Sequence, residues 1–451
     1  MTSASLPETS SLTHLARLRW SAATAAFQIE GARTADGRGR SIWDDFVDMP
    51  GRVRDGSTAE PGPDSYHRSP EDVALLHGLG VDRYRFSVSW TRVLPDASGH
   101  SNPKGIAYYD RLVDQLLAAD ITPFPTLYHW DLPVHLEEQG GWLNRDTAER
   151  FAEYAEIIAE ALGDRVAHWY TINEPVSTSL QGYAIGELAP ARTMLFDSLP
   201  TVHHQLLAHG LAAQRLRTHG ATHVGIVNNH TAVVPASLSE NDQTAAYIYD
   251  LIHNRLFADP VLLGEYPDLA ALGVELPVRS GDLDIISAHN DFYGVNFYNP
   301  TRIGASGGPV PFEILPIPDA PHTGFGPLWP IVPEGLTAFL IDAKERYGVH
   351  LPPVIIGENG ASFPEPDHAD GMIDDRDRIH YLRGHIEAVA EAIAAGVDIE
   401  EYTVWSLLDN FEWAEGFTQR FGLVHVDSET SARTPKASYD WYRALIAEAR
   451  A

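Results

Sequence analysis

The sequence contains no cysteine. That excludes disulfides, thiolate metal sites and cysteine nucleophiles together. Positive charge is scarce: 32 Lys and Arg stand against 62 Asp and Glu, a formal net charge of −30. Nucleic acid and anionic membrane surfaces carry the same sign and are disfavoured as partners, whereas an uncharged small molecule is not. Long apolar runs are missing too, with no stretch approaching the ~18 residues a membrane span needs. Met1 to Ala16 is rich in Ser and Thr with no continuous apolar centre, so it does not read as a secretory signal. It is expected as a flexible extension (1–16) ahead of one catalytic domain (17–451), in a cytoplasmic protein. No internal repeat, low-complexity tract, interdomain linker or GxGxxG motif breaks the chain.

What is present is a regular alternation. Short apolar strand candidates fall at Leu18–Ala23, Arg83–Val88, Thr122–Leu127, His168–Ile172, Val224–Asn228, Phe292–Phe297, Val354–Gly357 and Tyr402–Leu407, with helical patterns between them. Strand–helix alternation implies parallel pairing, and eight such units predict an α/β protein of one domain, a (β/α)₈ TIM barrel with long loops at the C-terminal face. Ser69-Pro70 is expected to open one helix and Gly80 to close it. Asp146 with Glu149 resembles a capping box ahead of the stripe Phe151, Ala155, Ile158 and Leu162, with Gly163 ending that helix. The Gly/Pro-rich passage Gly304 to Pro330 is long for a connection and should rim the C-terminal face.

The unusual polar residues cluster at the predicted strand ends. They are Gln28 and Glu30 after the first strand, Arg85 in the second, His129-Trp130 after the third and Asn173-Glu174 at the fourth. Asn296 and Tyr298 end the sixth, Glu358 the seventh, and Trp405 to Trp413 the eighth. Singly, each has a plain structural role: a core histidine, core filler or surface charge. On a barrel they converge on one pocket. Two glutamates after strands four and seven, amid amides, a histidine and tryptophans, suit glycosidic cleavage. One carboxyl protonates the leaving oxygen while the other meets the oxocarbenium-like centre from the opposite face. Amides and carboxylates bind sugar hydroxyls, and indole faces stack on sugar C–H surfaces.

Over nearly its whole length the chain resembles glycoside hydrolase family 1, the β-glucosidase family. The matching passages are Ser21 to Gly31, Tyr84-Arg85-Phe86-Ser87, Thr126 to Pro133, Asn173-Glu174-Pro175, Pro333-Glu334-Gly335, Glu358-Asn359-Gly360 and the long eighth-strand segment. The resemblance implies a retaining exo-β-glycosidase, most simply a β-glucosidase, tolerant of β-galactosides or β-fucosides. It implies Glu174 as general acid/base and Glu358 as nucleophile, with carboxyls about 5–5.5 Å apart. Ionised Glu358 would keep Glu174 protonated until the glycosyl-enzyme forms. Arg85 and Tyr298 would hold Glu358, and Asn173 would contact the sugar 2-hydroxyl. Gln28, His129, Glu412 and Trp413 would bind the other hydroxyls, and Trp405 would form the stacking floor. Trp130 and Asn296 join the substrate-binding set, Trp329 would stand at the aglycone entrance, and Phe421 would close the sugar pocket. No metal or cofactor is implied, and the partner is a small β-glycoside.

Three positions depart from the family pattern. Gly357 replaces a threonine before the nucleophile, Leu188 replaces a histidine of many members, and Phe27 replaces a tyrosine. The room left by Gly357 is expected to be taken by a larger side chain elsewhere, or by water. Alternatives are a 6-phospho-β-glycosidase, in which Glu412 would repel the phosphate, and a non-catalytic sugar-binding barrel, which would be expected to lack a carboxylate. A thioglucosidase would lack Glu174. Gly304-Ala305-Ser306-Gly307-Gly308 fits a serine-nucleophile pattern but is not followed by a helical sequence. His203, His204 and His209 miss the i, i+4 spacing of a zinc pair.

Overall fold

β-Branched and aromatic runs bounded by Gly and Pro form eight strands in a computed structural model that describes residues 6–7, 9–269, 272–365 and 373–451. They are β1 (Arg19–Ala23), β2 (Arg83–Ser87), β3 (Thr122–Tyr128), β4 (His168–Asn173), β5 (His223–His230), β6 (Tyr293–Phe297), β7 (Val354–Asn359) and β8 (Ile399–Trp405). Each pairs in parallel with its neighbours in chain order, and β8 closes on β1. The predicted (β/α)₈ barrel is therefore observed. All eight strands lie where expected, but β8 begins at Ile399 and ends at Trp405, not at Tyr402 and Leu407.

Two cores result. Phe124, Tyr170, Val227, Phe292 and Ile355 form a small cluster of their own. A much larger cluster fills the layer between strands and helices. The helix Asp146–Leu162 contributes Phe151, Ala155, Ile158 and Leu162 to it, all fully buried, as the stripe predicts.

Several local expectations are corrected. Asp146 is the first residue of its helix and makes no capping box; its backbone N–H is taken by Asn144 Oδ1 at 3.0 Å. The helix around Pro70 starts earlier, at Ser65, and the proline is accommodated at a kink where Arg68 has φ −114° and ψ 16°. Gly80 does end it, with φ 78°. The stretch 1–16 is not all a loose extension. Thr9–Leu15 is helical, packs on the helices Arg376–Ala394 and Ala437–Ala449, and buries Leu15 completely.

The passage after β6 is also more ordered than a loop. Thr301–Ala305 and Phe312–Leu315 pair antiparallel, and Val233–Pro235 adds a third strand. Ser306 lies in the turn of that hairpin with its hydroxyl accepting from Gly308 N, so no strand–turn–helix elbow exists there. Among the described residues, no helix is long and apolar enough to cross a membrane.

Two irregularities position the site. The register of β7 shifts against β6 between Ile356 and Glu358, and against β8 between Ile356 and Asn359. The register of β4 shifts against β5 between Tyr170 and Asn173. Bulges of this kind re-aim side chains, and these two lie at the strand ends that carry Glu358 and Glu174.

Candidate active site

Glu358 is buried at the tip of β7 and held at both oxygens. Oε1 accepts from Arg85 Nη1 at 2.7 Å and Oε2 from the Tyr298 hydroxyl at 2.6 Å. Arg85 Nη1 also donates to the Gly357 carbonyl at 2.7 Å, so one guanidinium grips both the carboxylate and the preceding peptide. Arg85 is itself fixed by Asn173 Oδ1 at 2.6 Å and Thr126 Oγ1 at 3.2 Å, and it lies 4.7 Å over the Tyr170 ring. Gly357 has a steric reason. A Cβ there would sit 2.8 Å from Asn296 Oδ1 and 2.8 Å from Val227 Cγ2, so larger side chains do fill the space. A threonine would have to displace one of them.

Glu174 is held differently. Its backbone takes φ 45°, a left-handed conformation that costs a non-glycine residue on the order of 1–3 kcal/mol and is typical of functional sites. Oε1 accepts from Asn296 Nδ2 at 2.7 Å and Asn229 Nδ2 at 3.1 Å, and Oε2 from Ser177 Oγ at 2.7 Å. Among the described residues, no ion pair holds it. Asn173 Oδ1 accepts from both Arg85 Nη2 and Asn296 Nδ2, so an unbroken hydrogen-bonded chain runs Glu358–Arg85–Asn173–Asn296–Glu174. Asn296 Nδ2 is thus committed to Asn173 and Glu174, while its Oδ1 is buried without a hydrogen-bond partner among the described residues.

The remaining predicted residues form the surrounding wall. Gln28 Nε2 donates to Asn410 Oδ1 at 3.0 Å, Phe411 O at 2.9 Å and Glu412 Oε2 at 3.2 Å. His129 Nε2 accepts from Asn173 Nδ2 at 3.0 Å, and its ring stacks between those of Trp405 and Trp413, at 5.8 and 5.9 Å. Trp130, at φ 77°, donates its indole N–H to Asn173 O and packs on Trp413, itself at φ 50°. Phe27 stacks on Trp413 in place of the hydroxyl a tyrosine would bring. Phe421 packs with Trp405, Tyr298, Phe325 and Trp329, and Trp329 stacks on Phe325 at 4.4 Å. Leu188 is half-buried against the main core.

Among the described residues, Gln28 Oε1 and His129 Nδ1 of this wall are buried without a hydrogen-bond partner. Because His129 Nε2 accepts, Nδ1 carries the proton and is a free donor. Burial, and then the charge of Arg85, hold His129 well below its usual range, so it is neutral.

The carboxyls crowd one another. Burial, together with the charge of Glu174, pushes Glu358 up to about 7, against the opposing pull of Arg85 and the Tyr298 hydroxyl. Burial and then the charge of Glu358 push Glu412 up to about 8. Tyr298 is raised well above 10 by burial and by Glu358, so it stays a hydroxyl donor.

Sequence reasoning missed Asn229 and Ser177 on Glu174, Thr126 and Tyr170 around Arg85, and Asn410 on Gln28. Asn229 was findable, because Asn228-Asn229 puts amides at the tip of β5, the one strand expected to carry no site residue. Thr126 and Tyr170 look like any inward strand residue. His203, His204 and His209 are structural, bonded to Tyr266 and Asp282, to Trp142 O, and to Thr171.

Comparison with known proteins gives one answer. The family model described as Glycosyl hydrolase family 1 matches residues 13–451. A 1,4-β-D-glucan glucohydrolase of Thermotoga neapolitana is 42% identical over 432 residues, covering 95% of this chain and 96% of that protein. A thermostable β-glucosidase B of Thermobispora bispora is 44% identical over 439 residues, 95% and 89% of the two chains. The crystal structure of a psychrophilic β-glucosidase from Micrococcus antarcticus superposes with a TM-score of 0.92 at 45% identity, covering 97% of this chain and 98% of that one.

Proposed function

The chain belongs to glycosyl hydrolase family 1, and from that premise we propose that it is a retaining exo-β-glycosidase, a β-glucosidase, acting on small uncharged β-glycosides. The observation that carries the assignment of roles is the unequal setting of the two carboxyls. Glu358 is clamped by a guanidinium and a phenol, which orients one oxygen lone pair for attack and stabilises the anion. Glu174 is held by amides and a hydroxyl alone, a setting that leaves it free to give and take a proton.

In the first step Glu358 bonds to the anomeric carbon as the glycosidic C–O bond breaks, and Glu174 gives its proton to the departing oxygen. In the second, Glu174 takes a proton from water, the hydroxide oxygen bonds to the anomeric carbon, and the bond to Glu358 breaks. Two inversions give net retention. Asn173, carried between Arg85 and Asn296, is the donor for the sugar 2-hydroxyl. The free donor His129 Nδ1–H and free acceptor Gln28 Oε1 supply further hydroxyl contacts, with Glu412 beside them, Trp405 and Trp413 offering apolar faces and Trp329 flanking the mouth. A 6-phospho sugar is not favoured, because Glu412, beside Glu174 and Glu358, offers a phosphate a third acidic group in place of a cation.

A panel of aryl β-glycosides (gluco, galacto, fuco and 6-phosphogluco), with the first-formed anomer read by NMR, tests this. The expected result is hydrolysis fastest on the glucoside, releasing β-glucose first. An α-anomer burst would overturn retention, and silence on every substrate would overturn catalysis.

A further inference from the structure

The wall that carries Trp405, Glu412, Trp413 and Phe421 is the run leaving β8, and a buried ion network outside the pocket ties it down. Asp409, in the middle of that run, is buried, and its Oδ1 accepts from Gly422 N at 2.9 Å and from Lys436 Nζ at 2.8 Å. Lys436 has no exposed side-chain surface and also pairs with Glu365, in the run leaving β7. His425 Nδ1 lies 2.8 Å from the other oxygen of Glu365 and 3.5 Å from Asp409 Oδ2, and Arg420 reaches to 4.0 Å of Asp409. The ligand atoms of Glu365, Asp409 and His425 lie within 4.8 Å of one another, close enough for a cation. The Lys436 ammonium, touching both carboxylates, takes that role itself. A second buried cation, Arg378, donates to Phe421 O at 3.0 Å, Arg420 O at 2.7 Å and Ala361 O.

We infer that Lys436 is a positioning residue for glycone binding: with Asp409, Glu365 and His425 it locks the exit of β8 to the exit of β7, and so fixes Glu412 and Phe421 relative to Glu358. The inference rests on reading this wall as the sugar pocket. Three features carry it. The ammonium is fully buried, and among the described residues its ion-pair partners are the two carboxylates of Glu365 and Asp409. Asp409 spends one oxygen on the peptide that follows Phe421. The two carboxylates belong to the runs leaving β7 and β8, the strands that also carry Glu358 and lead into Glu412 and Phe421. Without the ammonium, Asp409 and Glu365 would repel each other and push those loops apart, with His425 and Arg420 the cations left facing them among the described residues.

The test is Lys436→Met, which keeps the apolar stem. With an aryl β-glucoside at pH 7.5, KM should rise by roughly tenfold or more while kcat on that activated substrate stays within a few-fold. The KM defect should shrink as the pH is lowered and one of the two carboxyls takes up a proton. It should shrink again at pH 7.5 in Lys436→Met/Asp409→Asn, where the repulsion is gone. A folded Lys436→Met with unchanged KM, or a defect indifferent to pH and to the second substitution, overturns the inference. Should Lys436→Met not fold, Glu365→Gln, at the less buried end of the network, should raise KM roughly threefold with kcat unchanged, and an unchanged KM there overturns it equally. Wild-type hydrolysis of the same substrate separates the two claims: without it the sugar-pocket reading itself falls.

Discussion

Strand β2 carries two arginines two residues apart, and each makes a buried pair with a glutamate across the barrel. At the N-terminal end Arg83 Nη1 meets Glu401 Oε2 at 2.6 Å; at the C-terminal end Arg85 Nη1 meets Glu358 Oε1 at 2.7 Å. Their guanidiniums lie over neighbouring rings of the inner cluster, Arg83 over Phe124 at 5.3 Å and Arg85 over Tyr170 at 4.7 Å. Burial acts to raise the pKa of both glutamates. By chemistry and burial the pairs are near twins. What differs is the company of the carboxylate. Glu401 has Arg83, the more distant Arg19 and the Thr403 hydroxyl around it. Glu358 has Glu174 and Glu412 near it as well, and Arg85 pairs with Glu358 alone of the three. The lower pair is balanced and can only hold the barrel together. The upper one is crowded by further carboxyls, which raises Glu358 and Glu412 and makes negative charge drawn out there available to a cationic, oxocarbenium-like transition state.

Removing the two glutamates should therefore give opposite phenotypes. Glu358→Ala should lower kcat by on the order of 10⁵ or more, since it removes the attacking group. Formate or azide should partly restore turnover of an activated aryl glucoside by entering the space left. Appreciable unassisted turnover would refute the nucleophile assignment and erase the contrast.

Glu401→Gln should do the reverse. It removes the charge that balances buried Arg83, leaving the guanidinium a neutral amide oxygen at best, with His168 Nε2 at 3.1 Å from Nη2. The expected loss of unfolding free energy is roughly 3–5 kcal/mol, measured by urea titration. Turnover of the folded protein should stay within about a factor of three, ~0.7 kcal/mol. A large fall in kcat with stability intact would mean that the lower pair communicates with the site.

The same contrast separates what could be read from the sequence from what could not. Strand positions were legible because a strand buried on both faces is a short aliphatic run, as in Val354-Ile355-Ile356. Glu174 and Glu358 were legible because carboxylates at such strand ends are expensive unless used, and because the resemblance named them. Arg83 and Arg85 are indistinguishable in sequence, each an arginine inside Arg-Tyr-Arg-Phe-Ser. The resemblance tied Arg85 to Glu358, and only the closed barrel shows that Arg83 meets Glu401. Cap residues were misread for a local reason: Asn144 satisfies the N–H of Asp146, so an Asp–Glu spacing that looked like a box had a competitor two residues upstream. That a larger side chain elsewhere takes the room at Gly357 was expected, but not that it is Val227 and Asn296, because they lie far away in the chain.

The finest test asks whether the crowding of carboxyls is what sets the acid limb of activity. Glu358 must be ionised to attack, and its pKa is pushed up to about 7 by burial and by Glu174, with Arg85 and Tyr298 opposing. For a carboxyl raised in the folded protein, the charged, active form is lost as the pH falls through that raised value. Glu174→Gln removes the carboxyl that raises Glu358 when it is ionised and keeps the shape, so the acid limb of kcat/KM should move to lower pH. An aryl glucoside with an activated leaving group is the right substrate, because its departure does not need the lost proton donor. Glu401→Gln, at the other end of the barrel, should leave the limb where it is. A limb that stays put in Glu174→Gln, or moves equally in both variants, would mean that burial alone sets the ionisation of Glu358 and that the crowding of carboxyls at the upper rim has no catalytic consequence.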